Sequence, residues 1–188
     1  MVSSINKYSS AALIVCLCLV LFSVFPKPSF AASATEINIG VSETLKRFKA
    51  EISGGEEFLK QAKGVLVFPS IIKAGFVIGG EYGEGALQIS GENVDYYSTA
   101  AASFGFQLGA QSKSVVLVFM TDDALKNFQA SKGWKAGVDG SVAVIEWGVG
   151  EDINTVDIKD PIIGFVFSNK GLMYNLTLEG SKFTKLEK

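Results

Sequence analysis

The chain has 188 residues, of which 48% are hydrophobic and 19% are charged, and its formal net charge is −2. It contains no histidine, and its two cysteines, Cys16 and Cys18, lie near the N-terminus. The rest of the chain therefore lacks the residues needed for zinc centres, cysteine nucleophiles and Ser-His-Asp triads. Because the chain is weakly acidic, it has no overall electrostatic field that would attract nucleic acid.

Residues 1–31 have the pattern of a secretory signal peptide. Lys7 gives a positive start, and an uncharged apolar run follows over residues 11–25. This run is shorter than the roughly 20 residues that span a bilayer, and Ser29-Phe30-Ala31 supplies the small residues of a cleavage site. We expect cleavage after Ala31; cleavage after Ala34 and an uncleaved anchor are the alternatives.

Cleavage at this point would leave residues 32–188, which have the length of a single domain. Because the leader carries Lys7 and Lys27, its removal changes the net charge from −2 to −4. It also removes both cysteines, so an ordinary hydrophobic core must stabilise the domain without a disulfide. Export would place the domain in the periplasm or outside the cell, where it could lie peripheral to a membrane.

Apolar residues recur with a helical period between residues 37 and 62. Two helices are predicted there, because Gly54-Gly55 interrupts the pattern and a second apolar pattern starts over residues 56–63. The first helix would bury one face, whose apolar residues follow at spacings of four, three and four: Val41, Leu45, Phe48 and Ile52.

A cationic group surrounds Phe48 on the first predicted helix. Lys46, Arg47 and Lys49 beside an apolar stripe are typical of a helix that lies at a lipid surface. The alternative is that the stripe packs on a sheet and the cations are solvated, because two nearby glutamates dilute the charge.

Beyond Lys63 the pattern is mostly that of β-strands. Residues 65–68 are apolar at both parities, as expected of a strand buried on two faces, and Pro69 is expected to end its ladder. The glycines of GGEYGEG, residues 79–85, favour a hairpin over a phosphate-binding loop, since no Gly-Lys-Ser/Thr follows them.

The second half of the chain alternates strands with one short helix. A strand is predicted over 104–108 and a central strand over 115–120. Thr121 then caps a helix that Gly133 ends. An alternating strand over 138–144 and a hairpin, with strands over 162–168 and 172–178, complete the pattern.

This order of elements predicts an α+β fold. We expect a largely antiparallel β-sheet or barrel-like body, with an N-terminal amphipathic helical segment and one short internal helix. Fourteen phenylalanines, many of them at alternating strand positions, could fill its core or line a cavity for acyl chains.

A second cationic group contains Lys132, Trp134 and Lys135. Tryptophan beside lysine suits a membrane interface, and a tryptophan at the edge of the core is the alternative. The acidic residues between 151 and 160 lack the spacing of a calcium loop, so a solvated loop is favoured there. We expect no metal and no cofactor.

The segment AKGVLVFPSIIKAGFVIGGEYGEGAL, from Ala62, resembles the opening signature of the SYLF domain family. Three further segments match in the expected order: SFGFQLGAQSKSVVLVFMTDDALKNF from Ser103, GVDGSVAV from Gly137 and SNKGLMYNLTLEG from Ser168. The resemblance covers residues 62–180. It implies phospholipid binding and, as in fungal members, actin binding, and it brings no catalytic motif.

The resulting hypothesis is a non-catalytic phospholipid-binding protein of the cell envelope. The candidate lipid contacts are Lys46, Arg47, Phe48 and Lys49, followed by Lys132, Trp134 and Lys135. The alternatives are an envelope protein-interaction or scaffold module and, as the least favoured, a hydrolase that depends on two carboxylates.

Overall fold

The computed structural model describes residues 31–75, 78–104, 109–145, 153, 159–168, 171–172 and 178–188. The chain divides into two units between Ala31 and Ala32, and the elements below all belong to the second unit. None of the helices in the described part is both long and apolar enough to cross a membrane.

Three helices occur in the described residues: α1 over Ala34–Glu51, α2 over Gly55–Gln61 and α3 over Asp122–Ala130. The start of α1 is fixed by a capping box, in which Ser33 and Glu36 each bond the other's backbone N–H. Between α1 and α2 the chain reverses at Gly54, whose φ of 74° is in the left-handed region that favours glycine.

Nine strands of the described chain form one sheet, which curls as a half-barrel. Their order is β5-β9-β3-β2-β1-β4-β7-β6, and β8 pairs with β7. All neighbouring strands are antiparallel except β6 and β7, which confirms the predicted α+β class. The bounds are Gly64–Gly75 for β1, Ile78–Ile89 for β2, Glu92–Phe104 for β3, Gly109–Phe119 for β4, Trp134–Lys135 for β5, Ala143–Ile145 for β6, Ile162–Ser168 for β7, Gly171–Leu172 for β8 and Lys182–Leu186 for β9.

The expectation that Pro69 ends its strand is wrong. β1 continues to Gly75, because a bulge between Val67 and Ser70 takes the proline out of the regular ladder. The carbonyl oxygen of Pro69 accepts a hydrogen bond from Ser114 Oγ at 2.6 Å, so the bulged backbone is still satisfied.

The GGEYGEG segment forms a hairpin with the preceding strand, as predicted: it lies within β2, which pairs antiparallel with β1. Its last glycine, Gly85, faces the bulge of β1, and a Cβ added there would be 2.1 Å from the carbonyl oxygen of Val67. The close approach of the two backbones therefore requires glycine at this position.

Three other element boundaries differ from the expected ones. The segment that begins at Gly137 is a tight turn, with Val138 76% exposed, so β6 starts only at Ala143. α3 ends at Ala130, before the glycine at position 133. β8 begins at Gly171, one residue before the expected second strand of the hairpin. Most of that predicted strand lies outside the described residues, as do most of the strand over 104–108 and the acidic loop.

Two hydrophobic clusters lie on opposite faces of the sheet, because side chains along a strand alternate between the faces. The first cluster contains Leu117 and Phe119 of β4, and α3 packs against it. The second contains Val116 and Val118 of β4, and α1 and α2 cover it.

Aromatic rings fill the first cluster. Phe128 of α3 contacts Phe119 and Trp134, with ring centroids 5.0 and 5.7 Å apart, and Phe68 lies 5.6 Å from Phe183. In this part of the interior, therefore, the aromatic side chains pack on one another as a core.

Candidate functional site

A surface cleft of about 380 Å³ lies where α1 and α2 meet the ends of β1 and β2. Its lining combines apolar side chains with a charged and polar rim. The lining residues are Leu45, Lys49, Glu56, Leu59, Lys60, Ala62, Gly64, Val65, Gln88, Ser90 and Gly91.

Packing beneath the two helices fixes the shape of this cleft. Phe48 of α1 and Phe58 of α2 both contact the ring of Phe165 in β7, with centroids 4.9 and 5.8 Å away. Gly55 allows the helices to approach each other closely, because a Cβ there would be 3.1 Å from the ring of Phe48. The residues that follow these phenylalanines along each helix then face the cleft.

The lower edge of the cleft is the turn between β2 and β3. Ser90 and Gly91 both have positive φ, at 54° and 85°. This two-residue connection is a tight turn, and both of its residues line the cleft.

The cations of the rim differ in how they are paired. Lys60 Nζ lies 3.3 Å from Glu57 Oε1 and 3.4 Å from Glu56 Oε1. The hydrogen bond with Glu57, followed by the charges of both glutamates, raises the pKa of Lys60 and keeps it cationic. Lys46 and Lys49 are exposed, and neither has a carboxylate partner within 4 Å in the described part of the chain.

This arrangement suits an amphiphilic anion. A volume of about 380 Å³ lies at the lower end of the 300–1,000 Å³ typical of ligand pockets. The apolar floor of Leu45, Leu59 and Val65 can cover a short hydrocarbon segment, while Lys49 at the rim offers three donors to a phosphate.

The first predicted group of lipid contacts divides in the structure. Lys49 lines the cleft, and Lys46 is exposed on the same helix. Arg47 pairs with Glu51 at 2.6 Å. Phe48 is fully buried in the second cluster, so its ring positions the helix and has no surface to offer a lipid.

The second predicted group divides in the same way. Trp134 is 2% exposed and packs between Phe128 and Phe183, so the indole is a core side chain. Lys132 and Lys135 are exposed. Because Trp134 belongs to the first cluster and Phe48 to the second, the structure does not bring the two cationic groups together.

Sequence reasoning missed most of the cleft. Leu59, Lys60 and Gln88 were not candidates, because a surface formed by residues far apart in the chain leaves no local pattern. The Ser90-Gly91 pair between two strand patterns does carry a turn signal, which could have located this edge of the cleft.

A separate ionic group lies among the residues of the first face. Glu81 of β2 bridges Lys113 of β4 at 2.5 Å and Lys73 of β1 at 3.6 Å, and the side chain of Lys113 is 6% exposed. It holds three neighbouring strands together. Among the described residues, no group of three or more acidic side chains could hold a metal ion.

One family model matches the chain, over residues 100–188, and it describes the Ysc84 family as Las17-binding protein actin regulators. The matched segment contains α3 and the strands from β4 to β9, whereas the cleft is formed by residues 45–91. No curated protein matches the chain.

Proposed function

This chain belongs to the SYLF family, which the matched Ysc84 model describes, and we propose that it is a non-catalytic phospholipid-binding protein of the cell envelope. Membership of this family indicates a role of the lipid- or actin-binding type. The predicted leader over residues 1–31 supports export, and the cleft supports lipid as the ligand.

The observation that carries the proposal is an apolar floor beside Lys49, a cation of the cleft rim that has no carboxylate partner among the described residues. Lys49, with Lys46 beside it, contacts the headgroup phosphate of an anionic phospholipid. The first carbons of an acyl chain then lie against Leu45 and Leu59. Lys132 and Lys135, which are exposed beside the buried Trp134, are a secondary contact that depends on charge alone.

A vesicle flotation experiment tests this assignment. The full chain is exported from a bacterial host, and the processed protein is mixed with phosphatidylcholine vesicles that contain or lack phosphatidylglycerol. We expect recovery only with the anionic vesicles. Each lysine near an anionic surface contributes about 1 kcal/mol, so replacing Lys46 and Lys49 together by alanine should weaken binding about thirtyfold.

The matched control is the double variant Lys132→Ala and Lys135→Ala. It removes the same two charges from the other cationic group, so effects of net charge cancel in the comparison. We expect this control to keep most of its binding. Equal losses in the two double variants, or equal recovery with both kinds of vesicle, would remove the cleft as the lipid site.

A second candidate function is protein binding. The matched family is described by a protein partner, and the described sheet exposes two large apolar side chains that face each other across β1 and β2: Ile72, 54% exposed, and Tyr82, 50% exposed. Capture of a discrete envelope protein that is lost in Ile72→Ser, but kept in the Lys46 and Lys49 double variant, would favour this function.

A further inference from the structure

One nearly buried carboxylate joins the segment before α1 to the segment after β9. The side chain of Glu84, in β2, is 7% exposed. Its Oε2 atom accepts hydrogen bonds from the backbone nitrogen of Ala32 at 3.1 Å and from Lys188 Nζ at 2.8 Å. Its Oε1 atom accepts a hydrogen bond from the hydroxyl group of Tyr82 at 2.7 Å.

The same lysine closes the group into a small network. Lys188 Nζ also donates to the carbonyl oxygen of Ala32 at 2.6 Å. Ala32 is thus held through both its nitrogen and its oxygen, and the next residue, Ser33, begins the capping box of α1. The anchor at Glu84 and the start of the helix are therefore adjacent.

Cleavage after Ala31 would change the charge of the donor in this contact. In the uncleaved chain the nitrogen of Ala32 belongs to a neutral amide. After cleavage it is an α-ammonium group, so the hydrogen bond to the ionised carboxylate becomes an ion pair as well and gains the attraction between two opposite charges. An ammonium two residues before a helix otherwise opposes the helix dipole, and the charge of Glu84 offsets this effect.

The side chain of Glu84 is negatively charged and can pair with a positive group. Burial raises the pKa of Glu84, but the pKa is lowered overall. The lowering comes from hydrogen bonds donated by Lys188 and Tyr82, then from the charge of Lys188 and the hydrogen bond from Ala32. Glu84 is therefore ionised at neutral pH.

We infer that Glu84 is the receptor for the α-ammonium group that cleavage after Ala31 creates. Processing then completes an ionic group of Ala32, Glu84 and Lys188 that fastens the start of α1 and the end of β9 to β2. This inference depends on the cleavage position and not on lipid binding. Cleavage after Ala34 would instead remove both the anchor and Ser33, the N-cap of α1.

The test combines a shifted N-terminus with removal of the carboxylate. The full chain is exported, and the intact mass of the processed protein should correspond to an N-terminus at Ala32. In a second version Gly-Ser is inserted between Ala31 and Ala32, so that the new ammonium is displaced and Ala32 again carries an amide. Both versions are made with Glu84 and with Glu84→Gln, and urea unfolding is measured for all four.

We expect the Gly-Ser extension to lower the folding equilibrium constant about five- to tenfold with Glu84 present, since the ion pair is replaced by a hydrogen bond from a neutral amide. In Glu84→Gln the extension should change it less than about twofold. Glu92→Gln, which alters an exposed carboxylate of β3, should leave the effect of the extension at full size. Equal effects with Glu84 and with Gln, or a processed N-terminus elsewhere, would overturn the inference.

A second measurement does not depend on the stability of the Glu84 variant. At neutral pH, the amine of Ala32 in the folded processed protein should be acylated about tenfold more slowly than the displaced amine of the Gly-Ser version, because the ion pair shields it and holds its proton. Equal rates for the two amines would also overturn the inference.

Discussion

Replacing Phe165 by alanine is expected to lower the free energy of unfolding by about 3–5 kcal/mol, the loss typical of a buried aromatic side chain. Phe165 is completely buried, and its ring makes edge-to-face contacts with Phe48 of α1 and Phe58 of α2. Each such pair adds about 0.5–1.5 kcal/mol beyond burial itself. The substitution therefore removes the side chain on which both helices of the cleft rest.

Urea unfolding of the processed protein measures this effect. Phe165→Leu is the control, because it keeps most of the buried volume and should lose less than half as much stability. A loss of less than about 1 kcal/mol in Phe165→Ala would show that the two helices do not depend on this ring.

Replacing Glu81 by glutamine should lower the free energy of unfolding by about 3 kcal/mol, because it leaves the buried ammonium group of Lys113 without its counter-charge. The side chain of Lys113 is 6% exposed and that of Lys73 is 23% exposed, and Glu81 is the carboxylate that both contact. Without it, two positive charges on neighbouring strands would repel each other in a poorly solvated place.

A double substitution separates this electrostatic effect from loss of packing. Lys113→Met fills nearly the same volume without a charge, so adding it to Glu81→Gln should restore at least half of the lost stability. If the double variant instead shows the sum of the two single losses in urea unfolding, the ion pair does not account for the effect of Glu81.

Local patterns in the sequence were sufficient to predict those helices and strands whose buried faces follow from the spacing of their own apolar residues. Val41, Phe48 and Ile52 are buried as the helical spacing requires, whereas Leu45 of the same predicted face is half-buried and lines the cleft. The side chain of Thr121 accepts a hydrogen bond from the backbone of Ala124 at the start of α3. The central place of β4 likewise follows from its apolar residues at both parities, since both faces of that strand are covered.

Features that depend on a neighbouring strand could not be predicted in this way. Pro69 remains inside β1 because a bulge accommodates it, and the role of Gly85 follows from its closeness to that bulge. Both effects depend on which residues of neighbouring strands lie opposite each other, and a single sequence does not show this register.

The candidate site shows the same division. Lys46 and Lys49 were recognised from the charge pattern of one helix, but the cleft also needs Leu59 and Gln88 from other elements. For Trp134 the sequence left open a membrane interface or the edge of the core, and burial by side chains distant in the sequence supports the second.

Because the cysteines of the chain are confined to the predicted leader, a single cysteine introduced into the processed protein can carry an environment-sensitive fluorophore. One label is placed at Glu56→Cys on the rim of the cleft and a control label at Gln129→Cys, exposed on α3 at the other face. Addition of phosphatidylglycerol vesicles should shift the emission of the first label to the blue and leave the second unchanged. An equal response of both labels, or none from the label at the cleft, would contradict lipid binding at this site.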